Sequence, residues 1–325
     1  MPGQVRVGVV GVGSIGRHHV RILAADPGAD LVAVFDTDAE RAARIAAEHG
    51  TEVAASLDDL LSRVQAVSLA VPTPVHAEVG IRCIAAGCDL MVEKPLAGSV
   101  IDAEVLIDAA RDAGRLLQVG HVERYNPAIE ALLPRVDRPG FIEIHRLGTF
   151  VQRSLEVDVI ADLMIHDIDI MHALVDAEVT DVRAVGIAVL SDEIDIANAR
   201  LELSTGCIVN MTASRVSMNR VRKVRVFQPR AYFSVDYSDQ SVACFRIEEK
   251  SGERPVISGD PIVVERGEPL VAELLGFLEC VRTRTQPRVD GAAGLRAMRT
   301  ALRIRDALTV DLASQLAPDG DMSKL

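Results

Sequence analysis

The chain has 325 residues, 49% of them apolar, and a formal net charge of −12 at pH 7. That is ample material for two cored domains, and so acidic a chain speaks against a general nucleic-acid binder, which needs basic surface to neutralise phosphates. MPGQVRVGVV shows no basic stretch followed by an apolar signal core, no later run approaches the ~20 apolar residues of a membrane span, and the five cysteines form no C-x-x-C pair, so a cytoplasmic protein with reduced thiols is expected.

Val5–Val10 is an apolar run without alternation, the pattern of a strand covered on both faces. It leads into Gly11-Val12-Gly13-Ser14-Ile15-Gly16, a G-x-G-x-x-G at the mouth of a helical stretch. In that setting the first glycine permits the tight turn, the second lets a pyrophosphate approach the backbone, and the third allows close helix–strand packing, with the helix N-terminus facing the phosphates. Leu31–Phe35 is the next strand, and Asp36 at its end is placed to accept hydrogen bonds from the adenosine ribose hydroxyls and to repel a 2′-phosphate. No Arg or Lys stands beside Asp36, so NAD is expected over NADP. Asp38 reads as the cap of a helix over Asp38–His49.

Further strands are expected at Ala66–Val71, Asp89–Val92 and Leu116–Val119, with helices such as Val75–Ala86 between them. The alternation predicts an α/β fold, a doubly wound parallel sheet over residues 1–121. Two segments follow strands on the edge where ligands of open α/β sheets gather: Val71-Pro72-Thr73-Pro74-Val75-His76 and Glu93-Lys94-Pro95. A lysine beside a nicotinamide would be partly desolvated and would steady the alkoxide that develops as hydride leaves. The alternative is a solvated surface lysine. Lysine is rare in this arginine-rich chain, occurring at Lys94, Lys223, Lys250 and Lys324, and arginine cannot carry a proton in its place.

Residues 122–325 change character, predicting an α+β domain. Strand-like segments near 141–153, 181–190, 194–203, 206–213, 221–227 and 231–237 predict an open, mostly antiparallel sheet; Ala231, Phe233, Val235 and Tyr237 share one face of the last. One long helix, Ile160–Val175, interrupts them. Asp162 and His166, four residues apart, lie on one face of it with Asp169, opposite Leu163, Met164, Ile168, Ile170, Met171 and Leu174. A carboxylate beside a histidine fixes its tautomer and raises its basicity, which suits a general base removing a hydroxyl proton. The same residues have ligand chemistry, but no cysteine or second histidine completes a set, and no metal is expected. Asp167 falls in the apolar arc and must find a buried partner or an interface.

Arg215, Arg220, Arg222, Lys223 and Arg225 concentrate positive charge, as an anionic substrate, a strand pair neutralising acidic neighbours or a subunit contact would each require. Alternate residues on a strand point to opposite faces, so not all five can reach one diphosphate. Two amphipathic helices close the chain, one with Leu270, Leu274, Phe277, Leu278 and Val281 on a single face, the other beginning near Asp290 as N-cap; they are expected to pack back on the body. Asp319–Leu325 reads as frayed.

Together, G-x-G-x-x-G at 11–16, Glu93-Lys94-Pro95 and Asp162-x-x-x-His166 resemble the glucose-fructose oxidoreductase / inositol dehydrogenase / rhizopine-catabolism (Gfo/Idh/MocA) superfamily over essentially the whole chain. The resemblance implies an NAD-dependent dehydrogenase acting on the hydroxyl of a sugar-like small molecule, with no nucleic-acid or membrane partner. It puts Lys94 at the substrate, His166 as acid/base with Asp162, Pro72, Thr73 and His76 in the loop beside the nicotinamide, and Glu93 as the cofactor-side acid. It also implies that the open sheet serves a homo-oligomer, a dimer or tetramer.

Within the superfamily, Gly120-His121-Val122-Glu123-Arg124-Tyr125-Asn126-Pro127, Met164–Asp169 and Thr212-Ala213-Ser214-Arg215 look like a branch that oxidises the 3-hydroxyl of UDP-N-acetylglucosamine. His121, Arg124, Asn126 and Arg215 thereby become candidates for substrate contact, and the first three suit domain-hinge packing equally. The alternatives are an inositol or free-sugar dehydrogenase, and a non-catalytic NAD-sensing protein, against which intact Lys94, Asp162 and His166 speak.

Overall fold

The computed structural model describes residues 3–150, 157–248 and 256–308; the expectations placed on 151–153 and on Asp319–Leu325 lie outside them. The chain forms two compact units, one made by the chain up to Pro127 with Glu265–Arg299, the other by Ala128–Val264 with the chain from Thr300.

The first unit alternates β1 (Val5–Val10), α1 (Gly16–Ala25), β2 (Ala29–Phe35), α2 (Ala39–His49), β3 (Glu52–Val53), α3 (Leu57–Arg63), β4 (Ala66–Leu69), α4 (His76–Ala85), β5 (Asp89–Glu93), α5 (Val100–Asp112) and β6 (Leu117–Gly120). The strands are all parallel in the order β3-β2-β1-β4-β5-β6, the doubly wound sheet expected from the sequence. Local chemistry starts the helices: Asp38 accepts from Arg41 N at 3.0 Å, and Ser56 and Ser99 cap α3 and α5 in the same way. β3 and α3 are additions to the expected elements; both are short, and β3 is exposed, so neither leaves a periodic signature.

The core of this unit is completed late in the chain. After a short α6 (Pro127–Leu132) and the whole second sheet, α8 (Pro269–Thr283) buries Leu274, Phe277 and Leu278 in one cluster with Val5, Val7 and Val9, and Leu270 and Val281 flank it, the face that the spacing predicts. Asp290 accepts from Ala293 N at 2.9 Å and so caps the last helix, α9 (Gly291–Asp306).

In the second unit β7 (Phe141–Leu147), β8 (Val179–Ile187), β9 (Ile196–Leu203), β10 (Ile208–Ser214), β11 (Val221–Gln228), β12 (Ala231–Asp236), β13 (Ser241–Glu248) and β14 (Val256–Ile262) form one sheet ordered β14-β13-β12-β11-β7-β10-β9-β8. Among the described residues the β7–β10 pair is the one parallel strand pair of this sheet, and the rest are antiparallel. β7 and β9 alternate buried with more exposed positions, as a sheet covered on one face requires. β13 and β14 are additions to the expected strands; Arg246 in one and Gly259 and Pro261 in the other dilute their β character. α7 (Ile165–Leu174) is preceded by a π-helical turn, Ile160–Met164, where the sequence suggests one unbroken α-helix. Among the described residues no helix is long and apolar enough to cross a membrane.

Candidate active site

The carboxyl ends of β1, β2, β4, β5 and β6 gather the glycine loop, Asp36, Pro72 and Thr73, Glu93 and Lys94, and His121 along one edge of the first sheet. Gly11 has φ +84°, and a Cβ there would meet Ala70 O at 2.5 Å; a Cβ on Gly16 would run into the Gly11 carbonyl. Gly13 is different. The nearest atom to a Cβ there is Arg41 Nη1 at 3.6 Å, so the backbone lies open, with Ser14 and Ile15 exposed beside it.

α1 begins without a capping side chain and without an acid in its first turn, which leaves its N-terminal dipole to an anion supplied from outside. A groove of about 560 Å³ opens there, lined by Val12, Gly13, Ser14, Arg17, Arg41 and Arg44 among others. The Asp36 carboxylate accepts Val12 N at 2.8 Å and Asp38 N at 2.9 Å, one per oxygen, which keeps a lone pair on each for a ribose hydroxyl. These features fit a dinucleotide. One expectation needs correcting: an arginine does stand beside Asp36. Helix α2 turns Arg41 back so that Nη1 lies 3.7 Å from Asp36 Oδ2 while Nη2 binds Asp38 at 2.7 Å.

Pro72 is exposed and Thr73 half-buried on the loop after β4, whereas His76 is 1% exposed. Its two ring nitrogens lie 2.9 Å from the carbonyls of Val71 and Pro95, so it ties the loop after β4 to the loop after β5 from within. Burial holds its pKa below the ordinary value. Lys94 is half-buried and its own N–H donates to Glu93 Oε2 at 3.3 Å. Glu93 Oε1 lies 3.2 Å from Nε2 of His19, a fully buried residue of α1.

His121 follows β6 and is enclosed; burial, with the charges of Lys94 and Arg124 behind it, lowers its pKa to about 3, so the ring is neutral at working pH. Arg124 and Arg288 each donate to the other's backbone carbonyl, at 3.5 and 3.0 Å, and Asn126 donates to Glu123 Oε2 at 3.2 Å. Arg124 and Asn126 therefore stiffen the turn after β6.

In the second unit the π turn carries Asp162 and the following α7 carries His166, both half-buried, with Asp169 buried one turn on. Asp158, not foreseen, fixes the entry: its Oδ1 accepts Ile160 N and Ala161 N at 3.0 and 2.9 Å, and its Oδ2 meets Arg305 Nε at 3.3 Å. A π turn widens the helix by a residue and is a frequent device where side chains must be aimed. Asp167, next to His166, finds the buried partner it needs. Arg146 of β7 grips it with two bonds of 2.9 Å, and Tyr237 O–H donates to it at 2.8 Å.

The basic cluster disperses. Arg215 is 7% exposed, paired with Asp195 at 3.1 Å and donating to Val157 O and Ile194 O at 2.5 and 3.1 Å, so it braces its own unit. Arg225 binds Glu143 at 2.7 Å and Lys223 lies 3.9 Å from Asp236, the neutralising arrangement. Among the described residues no group of three or more His, Cys, Asp or Glu is arranged to hold a metal.

The residues missed from sequence are His19, Ser68, Arg41, Arg146, Asp158 and Tyr237. His19, three residues past Gly16, falls on the same inward side of α1, and Arg41 sits in the first turn of the helix after Asp36; both spacings were visible.

Comparison with known proteins agrees with both halves. A family model described as "Oxidoreductase family, NAD-binding Rossmann fold" matches residues 5–121, and the "GFO/IDH/MocA C-terminal domain" matches residues 134–233. The chain is 38% identical to the UDP-N-acetylglucosamine 3-dehydrogenase of Acidithiobacillus ferrooxidans across 94% of this chain and 97% of that one. The solved structure of UDP-N-acetylglucosamine 3-dehydrogenase GnnA from that organism superposes with a TM-score of 0.88, at 37% identity, covering 94% of this chain and 98% of the other. Inositol 2-dehydrogenase 3 of Saccharopolyspora erythraea is 35% identical, over 56% of each chain.

Proposed function

Because the chain belongs to the GFO/IDH/MocA family of NAD-binding oxidoreductases, we propose that it oxidises the 3-hydroxyl of UDP-N-acetylglucosamine or a related nucleotide sugar to the ketone. The reaction removes a hydride from the ring carbon and a proton from its oxygen, and NAD supplies the hydride acceptor. The near full-length identity to a dehydrogenase of that sugar carries the reading, and the inositol dehydrogenases match a smaller share of the chain.

The glycine loop, Ser14, Ile15 and the N-terminus of α1 hold the dinucleotide phosphates, and Asp36 holds the adenosine ribose. Thr73 and Pro72 border the nicotinamide end, with His76 shaping their loop from beneath. Lys94 donates a hydrogen bond to the reacting oxygen and stabilises its developing negative charge. His166 takes the hydroxyl proton, its basicity supported by Asp162. His121, neutral and beside the Lys94 charge, is suited to accept or donate a hydrogen bond to a substrate hydroxyl.

A screen of UDP-N-acetylglucosamine, UDP-glucose, glucose and myo-inositol for NADH formation tests the assignment. Turnover confined to the free polyols would replace it by an inositol-type dehydrogenase. Lys94→Ala is expected to lower kcat by about 100-fold or more with NAD affinity nearly unchanged, and retained turnover would remove Lys94 from the mechanism.

We also propose a homo-oligomer built on the outer face of the second sheet. There Phe141, Phe227, Tyr232 and Phe245 form a continuous row with centroid spacings of 5.5, 4.7 and 5.7 Å, in a chain of seven Phe, three Tyr and no Trp. Sedimentation velocity checks this: a monomer at micromolar concentration refutes it. The free thiols of all five cysteines accord with a reducing, cytoplasmic compartment.

A further inference from the structure

α1 carries an imidazole into the middle of the first unit. His19 is 0% exposed, and a leucine of similar size would fill that volume without the cost of burying two polar nitrogens. Its surroundings explain its presence. Nδ1 lies 2.7 Å from the Ser68 hydroxyl on β4, itself 1% exposed, and Nε2 lies 3.2 Å from Glu93 Oε1 at the end of β5. A carboxylate only accepts, so Nε2 carries the proton, and in the neutral ring Nδ1 receives the Ser68 hydroxyl hydrogen. Among the described residues Nε2 forms no hydrogen bond, and Glu93 Oε1 at 3.2 Å is the carboxylate oxygen that faces it.

Glu93 is confined from two further sides. Gly120 pairs with it across β5 and β6, and a Cβ at Gly120 would come within 3.0 Å of both Cδ and Oε1 of Glu93; a side chain there would displace the carboxylate. Its other oxygen receives the N–H of Lys94 at 3.3 Å. Ser68, His19, Glu93 and the Lys94 backbone thus line up from the floor of the sheet to its ligand edge, hydrogen-bonded at Ser68–His19 and Glu93–Lys94 and joined at His19–Glu93 by a 3.2 Å approach, in a setting where an unpaired polar atom is costly.

We propose that His19 is a positioning residue: anchored by Ser68, it fixes the Glu93 carboxylate and, through it, the backbone from which Lys94 reaches the reacting oxygen. The same helix offers its N-terminus to the dinucleotide, so cofactor binding and lysine placement share one rigid element. The inference rests on the assignment of Lys94 to the reacting oxygen.

The test compares His19→Leu, His19→Gln, Ser68→Ala and Glu93→Ala, singly and as the His19→Leu/Glu93→Ala pair, with the sugar that the wild type oxidises. NAD affinity follows from competition against NADH fluorescence, which no tryptophan obscures in this chain. His19→Leu should lower kcat by about tenfold or more while NAD affinity stays within about threefold, and His19→Gln, whose amide keeps a donor, should recover most of the loss. On the Glu93→Ala background His19→Leu should cost almost nothing further.

A kcat for His19→Leu near wild type, an additive double variant or a lack of recovery in His19→Gln overturns the proposal. If His19→Leu does not fold, Ser68→Ala decides: an unchanged kcat overturns the proposal, and a fall of about threefold or more at constant NAD affinity supports it. Lys94→Ala separates the two levels. Were it still active, the assignment of Lys94 would fail; were it inactive while the His19 variants behave as wild type, only the positioning role would fail.

Discussion

A carboxylate on the core side of α7 would be a heavy burden if unpaired, and Asp167 shows how the chain meets it. Arg146 and Tyr237 satisfy both its oxygens with the guanidinium and the carboxylate 3% and 2% exposed. Removing one member strands the others. Arg146→Met is expected to destabilise by about 3–5 kcal/mol, and Tyr237→Phe by about 1–3 kcal/mol, in chemical unfolding. If both were neutral, the network would not be what anchors α7. His121 makes a second residue-scale prediction. Its pKa near 3 in the folded protein lies below its ordinary 6.5, so as pH falls through 6.5 the unfolded chain binds a proton that the folded one refuses. Stability is fully present above pH 6.5 and is lost on acidification towards pH 3, by about 1.4 kcal/mol per pH unit from this group. His121→Gln should flatten that slope between pH 6.5 and 5, and an unchanged slope would mean that the ring is not kept neutral. From the sequence one could see that Asp167 needed a partner, but not which, because Arg146 and Tyr237 are remote in the chain and meet it only through strand register.

At the scale of elements, hydrophobic period and turn chemistry were informative, and long-range pairing was not. The glycine loop, β1, β2 and the cap of α2 follow from local rules, since each rests on neighbours a few residues away. The π turn does not: Ile160–Met164 reads as ordinary helix, and its geometry depends on Asp158 and Arg305 holding the entry. The basic residues of β11 look like a charge patch because sequence sets them side by side, while the strand pairs Arg225 with Glu143 and Lys223 with Asp236 across its neighbours. α8 yields a prediction. Phe277 is 1% exposed in the cluster that includes Val5, Val7 and Val9, so Phe277→Ala should cost about 3–5 kcal/mol. Calorimetry would detect the loss, and a change under about 1 kcal/mol would argue that α8 is dispensable to that core.

For the whole molecule, thiol chemistry gives a simple check. Cys83, Cys88, Cys207 and Cys244 are buried and Cys280 is partly exposed, and burial pushes the thiols of Cys83 to about 12 and of Cys88 and Cys207 to about 11. The thiolate is the reactive form, so the native protein should release at most one equivalent with a disulfide reagent and five after unfolding. Rapid reaction of more than one would contradict the packing described.

The interrupted first unit has a consequence for synthesis. Its glycine loop and strands leave the ribosome early, but Leu274, Phe277 and Leu278, which close the cluster over Val5, Val7 and Val9, come about 150 residues after Pro127. At ~5–20 residues per second the nascent sheet waits roughly 7–30 s with that face unsealed. A gene fragment ending near Pro127 would carry every nucleotide-binding motif and still emerge as a sticky, chaperone-dependent intermediate, and adding residues 265–299 through a linker is the simplest way to make it behave as a free-standing module.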